Sequence, residues 1–205
     1  MFLSNFTLQG HETTALAISS TLLMLAMHQD VQEKVIDEMR NLFDTKDEDV
    51  STELLTELIY LEMVIKENLR LLPILTFMGR LAEKDIQLNS IKIPAGSNII
   101  INMFKVHRNP LYWGDDAHLF NPERFAPEKI TKIHPYAFIP FANGPRICIG
   151  KRYAMNNIKI VLCHFLRNFK VTTNLKYEEL EFRNNITMRV AQGYMIKLEK
   201  RAFKQ

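Results

Sequence analysis

Cysteine is scarce: the 205 residues contain two, Cys148 and Cys163, and neither belongs to a C-x-x-C pair. A disulfide framework is therefore excluded as an organising device, and a reducing compartment fits. If a helix starts near Gly150, the two thiols lie about 20 Å apart along it at 1.5 Å per residue, several times a disulfide's span. No two histidines stand at metal-ligand spacing, so a zinc site has little support. An excess of one charge is also missing. Lys and Arg number 26 against 23 Asp and Glu, and the pI is about 8.8. That balance is too mild and too evenly spread to argue for nucleic acid. Low-complexity tracts are absent, and 47% hydrophobic with 24% charged residues describes a globular chain long enough to bury a sizeable core. Finally, no clean apolar span is present. The first 27 residues carry one formal charge, Glu12, but Gln9, His11, Thr13, Thr14, Ser19, Ser20 and Thr21 dilute the run. The expectation is a buried helix with a polar patch. No basic leader or A-x-A site marks a signal peptide.

What the sequence does have is concentrated at Pro140 to Gly150, PFANGPRICIG. Cys148 stands in a Gly- and Pro-rich loop, behind Phe141 and Arg146, and ahead of a helical pattern from Arg152 to Phe169. A negative sulfur is favoured at a helix N-terminus, where backbone N–H groups point outward. Gly144 and Gly150 let the backbone turn and approach something flat. The bland alternative is a free cysteine in a loop. With all five fixed positions filled, F-x-x-G-x-R-x-C-x-G resembles the haem-binding signature of the cytochrome P-450 superfamily.

Taken in order, Leu3 to Met27 reads as one long helix, apolar nearly all round and so interior. Its middle, Gly10-His11-Glu12-Thr13-Thr14, puts Gly10 and Thr13 on one face and a carboxyl beside a hydroxyl. This stretch resembles the superfamily's distal-helix motif, in which the acid and the first Thr manage protons; the positions here are Glu12 and Thr13. Gln9 departs from the pattern. It lacks the carboxylate that esterifies haem in some fatty-acid hydroxylases, so the resemblance implies haem b held non-covalently.

Asp30 and Glu33 predict a capping box for a helix carrying Val31, Val35, Ile36, Met39, Leu42 and Phe43 inward. DTKDED, 44–49, is a charged linker. Ser51 or Thr52 then caps a helical run ended by Pro73. Within it Glu67 and Arg70 share a face with Met63, Val64 and Leu71, which argues for burial rather than a surface pair. The superfamily's E-x-x-R matches here, and its P-E-R-F matches Pro122 to Phe125, so Glu67, Arg70 and Arg124 are expected to form a buried structural network. Short strands are predicted at Ile86 to Leu88, Ile91 to Ile93 and Asn98 to Met103. Arg80, just ahead of them, stands where the superfamily has a propionate-binding Arg; an ordinary surface Arg is the alternative. Residues 107–125 read as an irregular packed meander with structural His107, Trp113 and His118. After the cysteine loop, Met155, Ile158, Val161, Leu162, Phe165 and Leu166 face inward. Ile186 to Val190 and Tyr194 to Leu198 suggest a closing hairpin turning at Gln192-Gly193.

The resemblance implies a mainly α fold with small β-sheets, the C-terminal part of the cytochrome P-450 fold, with residues 1–205 a single partial domain. It is similar to the animal microsomal branch, including fatty-acid hydroxylases and insect relatives. Cys148 is then the iron ligand, Arg146 and Arg80 propionate partners, and Phe141, Gly144 and Gly150 the frame of the ligand loop. The implied activity is monooxygenation of a small apolar substrate with electrons from NADPH-cytochrome P-450 reductase, or else a non-catalytic haem-binding remnant. Lys151, Arg152 and Lys159 suit an acidic redox partner or a solvated helix face equally. Superfamily members are much longer. The chain is expected to be a C-terminal portion whose membrane anchor, on the cytoplasmic face of the endoplasmic reticulum, is missing.

Overall fold

A computed structural model describes residues 2–203, with side chains described over residues 10–203. The expected balance holds: eight helices and four small sheets are found among the described residues. α1 (Phe2–Met27) runs through the centre, touching α4 (Ile59–Leu71), α8 (Lys151–Asn168) and β5 (Phe169–Thr172). Leu23, Met24 and Leu25 are all fully buried, as a helix apolar on every face requires. α2 (Gln29–Leu42) packs on α4 and α8 through Val35, Ile36 and Met39. No described helix is long and apolar enough to cross a membrane.

Helix ends differ from the predicted chemistry. The Asp30/Glu33 capping box does not form; His28 is the N-cap without a side-chain bond, and Glu33 instead pairs with Arg201 at 3.0 Å. The run after Ser51 is two helices, α3 (Thr52–Glu57) and α4, broken at Leu58. Ser51 caps α3 by accepting the Leu54 N–H at 3.3 Å. α4 has no local cap, and Glu38 of α2 reaches across to accept the N–H groups of Tyr60 and Leu61 at 2.5 and 2.9 Å.

The strands pair as four antiparallel couples: β1 (Phe77–Leu81) with β4 (Asn98–Asn102), β2 (Ile86–Leu88) with β3 (Ile91–Ile93), β5 with β8 (Lys197–Lys200), and β6 (Phe182–Asn184) with β7 (Met188–Val190). β1 was not expected, and Arg80 lies within it. Met103 starts α5 (Met103–Val106) rather than ending β4. The predicted closing hairpin is not formed. Gly193, at φ +80°, does turn the chain, but each arm pairs elsewhere because β5 and β6 already offer open edges. The meander carries short structure of its own: α6 (Pro110–Trp113), a 3-10 turn at Pro122–Phe125, and α7 (Pro127–Ile130) immediately after. On α8 the inward set includes Ile158, Leu162 and Leu166 as expected, while Val161 is exposed.

Candidate haem-thiolate site

The cysteine loop is tied by its own backbone. Cys148 N–H donates to the Phe141 carbonyl at 2.9 Å, and Ile147 N–H to the Gly144 carbonyl at 3.1 Å. Ala142 and Gly144 take positive φ of 60° and 76°, the left-handed region that glycine enters most readily. Asn143 steadies the turn by accepting the Gly144 N–H at 2.8 Å. These bonds present Cys148, exposed, just ahead of the N-terminus of α8, where Gly150 is the N-cap with no side chain in the way. A Cβ on Gly150 would stand 3.9 Å from the sulfur, and one on Gly144 would meet nothing within 4 Å. Ile149 beside the sulfur is 91% exposed. Cys163 is the contrast: fully buried, its thiol is pushed up to about 11 by burial. One thiol is presented and the other is inert.

An exposed sulfur at a helix N-terminus, glycines without bulk around it, a bare isoleucine and the exposed cation of Arg146 fit a flat apolar group with an anionic edge. Arg80 is half-buried in β1, its Nη1 donating to the neighbouring Gly79 carbonyl at 2.8 Å. Among the described residues no hydrogen bond or ion pair joins Arg80, Arg146 and Cys148. Phe141 is half-buried against the main core and borders a groove of about 390 Å³ shared with Glu62, Lys66 and Met155.

On α1, Gly10 is open, with nothing within 4 Å of a Cβ. The Glu12 carboxylate is taken by β7 and its approach. Thr187 Oγ1 and Arg189 Nη2 both donate to Glu12 Oε1 at 2.7 Å, and they hold its carboxyl below the usual range. Thr187 and Arg189 are two apart on one strand face, which is how both reach one oxygen. Thr13 is half-buried beside it. The Gln9 side chain lies outside the described residues.

In the third constellation Glu67 and Arg70 are buried and Arg124 is half-buried. Glu67 and Arg70 are fully buried and paired in a fork, Nε to Oε2 at 2.7 Å and Nη2 to Oε1 at 2.8 Å. Arg70 also donates to the carbonyls of His107, Ala117 and Leu119, and stacks 5.0 Å over Trp113. Asn121 N–H donates to Glu67 at 2.8 Å; Arg124 stands 3.6 Å from the same oxygen and donates to the carbonyls of Trp113 and Asp116. The network therefore stitches α4 to the meander. Burial pushes the Glu67 carboxyl up, against the pull of Arg70 and Asn121.

Lys159 corrects one expectation. It is 4% exposed and donates to the Leu55 carbonyl and to Glu62 at 2.7 and 2.6 Å, so it binds α3 and α4 to α8 and presents no charge to a partner. Lys151 and Arg152 are exposed. Sequence reasoning also missed how far His107, Gln32 and Arg167 reach, each fully buried with long-range backbone partners.

Comparison with known proteins gives the family. The Cytochrome P-450 family profile matches residues 1–198. The probable cytochrome P-450 313a1 of Drosophila melanogaster is 43% identical over 194 residues, 94% of this chain and 39% of that one. The probable cytochrome P-450 4ac1 of the same fly is 38% identical, covering 97% of this chain and 38% of the relative. Cytochrome P-450 4V2 of Pongo abelii is also 38% identical, covering 96% and 37%. The chain thus spans about two-fifths of the length of these relatives. With a family profile matched almost end to end and relatives near 40% identity over nearly the whole chain, it belongs to the cytochrome P-450 family.

Proposed function

We propose that residues 1–205 are a single partial domain, the haem-binding C-terminal portion of a microsomal monooxygenase acting at the cytoplasmic face of the endoplasmic reticulum. The presentation of Cys148 carries this reading: an exposed sulfur at the N-terminus of α8, in a loop closed by its own backbone and cleared by glycine. Cys148 holds the iron through a thiolate, the ligation known for this family generally. Arg146 and Arg80 pair with propionates, Gly144 and Gly150 shape the ligand loop, and Phe141 packs near the sulfur and restricts water there. When bound, haem b supplies the oxidation, putting one oxygen atom of O2 into a small apolar substrate with electrons from NADPH-cytochrome P-450 reductase. Glu12 and Thr13 hold and pass protons on α1, and the Glu67, Arg70 and Arg124 network keeps α4 and the meander rigid beneath the site.

A second reading is a haem-binding remnant of such an enzyme without turnover. One series separates the possibilities. Reduced, carbon-monoxide-treated holo chain is expected to show a strongly red-shifted Soret band that Cys148→Ser abolishes. Identical spectra from the two would sink the ligand assignment. A thiolate spectrum without peroxide-driven oxidation of a fatty acid would favour the remnant. Haem that stayed with the polypeptide through denaturing acid extraction would overturn non-covalent binding.

A further inference from the structure

The residues that frame Cys148 do not explain how the chain entering the loop is aimed. Residues 138–141 bring it in from the meander, and Ile139 is 5% exposed. Its backbone is engaged at both ends. The Ile139 carbonyl accepts the Ala142 N–H at 3.0 Å, and its N–H donates to Nε2 of His107 at 2.9 Å, from 32 residues upstream. The His107 ring also contacts Phe138, with centroids 5.4 Å apart at 41°. One imidazole thus grips two consecutive residues of the segment that becomes the ligand loop.

His107 is in turn immobilised. It is fully buried; its N–H donates to the Met103 carbonyl at 2.9 Å, and its own carbonyl accepts Arg70 Nη1 at 3.0 Å. The remaining ring nitrogen, Nδ1, is buried without a hydrogen-bond partner. A neutral ring that accepts at Nε2 carries its proton on Nδ1. Burial first, and then the nearby cations Arg70 and Arg108, oppose a second proton, so the acceptor nitrogen stays unprotonated.

We propose that His107 is a positioning residue for the haem-ligand loop: it carries the rigidity of the Glu67–Arg70 pair through one side-chain bond to Ile139 N–H and so fixes where Cys148 stands. The proposal rests on reading Cys148 as the iron ligand. The buried fork holds the His107 backbone, the imidazole holds Ile139, Ile139 holds Ala142, and Phe141 holds Cys148. An apolar side chain in place of His107 leaves Ile139 N–H buried without an acceptor, whereas glutamine places an oxygen where Nε2 stood.

The test uses the 205-residue chain, wild type, His107→Leu and His107→Gln. Wild type is expected to show a scalar coupling across the hydrogen bond between Ile139 N and His107 Nε2, with strong hydrogen-exchange protection of the Ile139 amide. His107→Leu should speed that exchange on the order of tenfold or more. It should also lower the thiolate fraction of the reduced carbon-monoxide spectrum at temperatures where the chain is fully folded; His107→Gln should restore most of both. No coupling in wild type would overturn the bond even if the leucine variant failed to fold. Faster Ile139 exchange with an unchanged thiolate fraction would reduce His107 to a purely structural role and overturn the proposal. If Cys148→Ser leaves the haem spectrum unaltered, the ligand reading fails on that control, whatever Ile139 does.

Discussion

Glu67 and Arg70 share the description "salt bridge" with Lys34 and Glu123, but burial separates their energetics. The first pair is fully buried and engages most of its donors and acceptors; the second lies 3.2 Å apart with both side chains largely in solvent. Glu67→Ala strands a guanidinium in the interior and should cost about 3–5 kcal/mol. Lys34→Ala should cost no more than about 1 kcal/mol, since water screens that pair. Urea denaturation of both variants checks the contrast, and similar losses would refute it. Glu12 gives a second residue-scale expectation. Its carboxyl is held low first by the Thr187 hydroxyl and then by Arg189, with His11 a minor contributor. Thr187→Val and Arg189→Gln should therefore each raise the pH at which Glu12 titrates, followed by carbon-detected NMR of the labelled side chain. At this scale the sequence was readable where both partners sit on one helix turn, as with Glu67 and Arg70. It was silent where the partner is a distant backbone atom: Gln32 binds both the N–H and the carbonyl of Val171, and nothing in Gln32's neighbourhood announces that.

Helix α4 shows how an element depends on its neighbour. Its first turn lacks a local cap because Leu58 provides none, and Glu38 of α2 supplies two acceptor oxygens instead. The carboxyl is half-buried; burial pushes it up, and the N–H groups of Tyr60 and Leu61 pull against that. Glu38→Ala should cost about 1–2 kcal/mol and fray the start of α4, with Glu38→Gln losing roughly half as much because one oxygen remains. Exchange of the Tyr60 and Leu61 amides reads the effect directly. The same logic explains which elements were legible. α1 follows from a long apolar run of helical length, α8 from sustained apolar periodicity, and β2 and β3 from a two-residue Asn89-Ser90 turn. The closing hairpin did not: Ile186 to Val190 and Tyr194 to Leu198 read as two arms of one turn, yet β7 pairs with β6 and β8 with β5, which α8 delivers. The Asp30 capping box failed for a related reason: Glu33 finds Arg201, 168 residues on, rather than its own helix N-terminus.

Across the whole molecule, the central core and the cysteine loop meet through His107, and this links acid stability to the site. Burial and the nearby Arg70 and Arg108 hold the folded imidazole down at about 3, against 6.5 when unfolded. Above pH 6.5 both states are neutral at this position and His107 contributes no pH dependence. Below it the unfolded chain binds a proton that the folded chain refuses, so stability falls as pH falls, until the folded ring also protonates near pH 3. The slope is about 1.4 kcal/mol per pH unit within that window, and the full span approaches ~5 kcal/mol. Carboxylates titrate in the same range, so the measurement is a difference: urea midpoints of wild type and His107→Gln from pH 7 to pH 4. The glutamine variant should lose less stability on acidification, the gap between the two curves narrowing by about 1 kcal/mol or more per pH unit below pH 6. Parallel curves would mean that the folded ring protonates in step with the unfolded one near pH 6.5, which is incompatible with Nε2 still accepting from Ile139 below that pH. Because that same nitrogen aims the loop, the thiolate signature of the holo chain should begin to fail at the acid end of this window and not before.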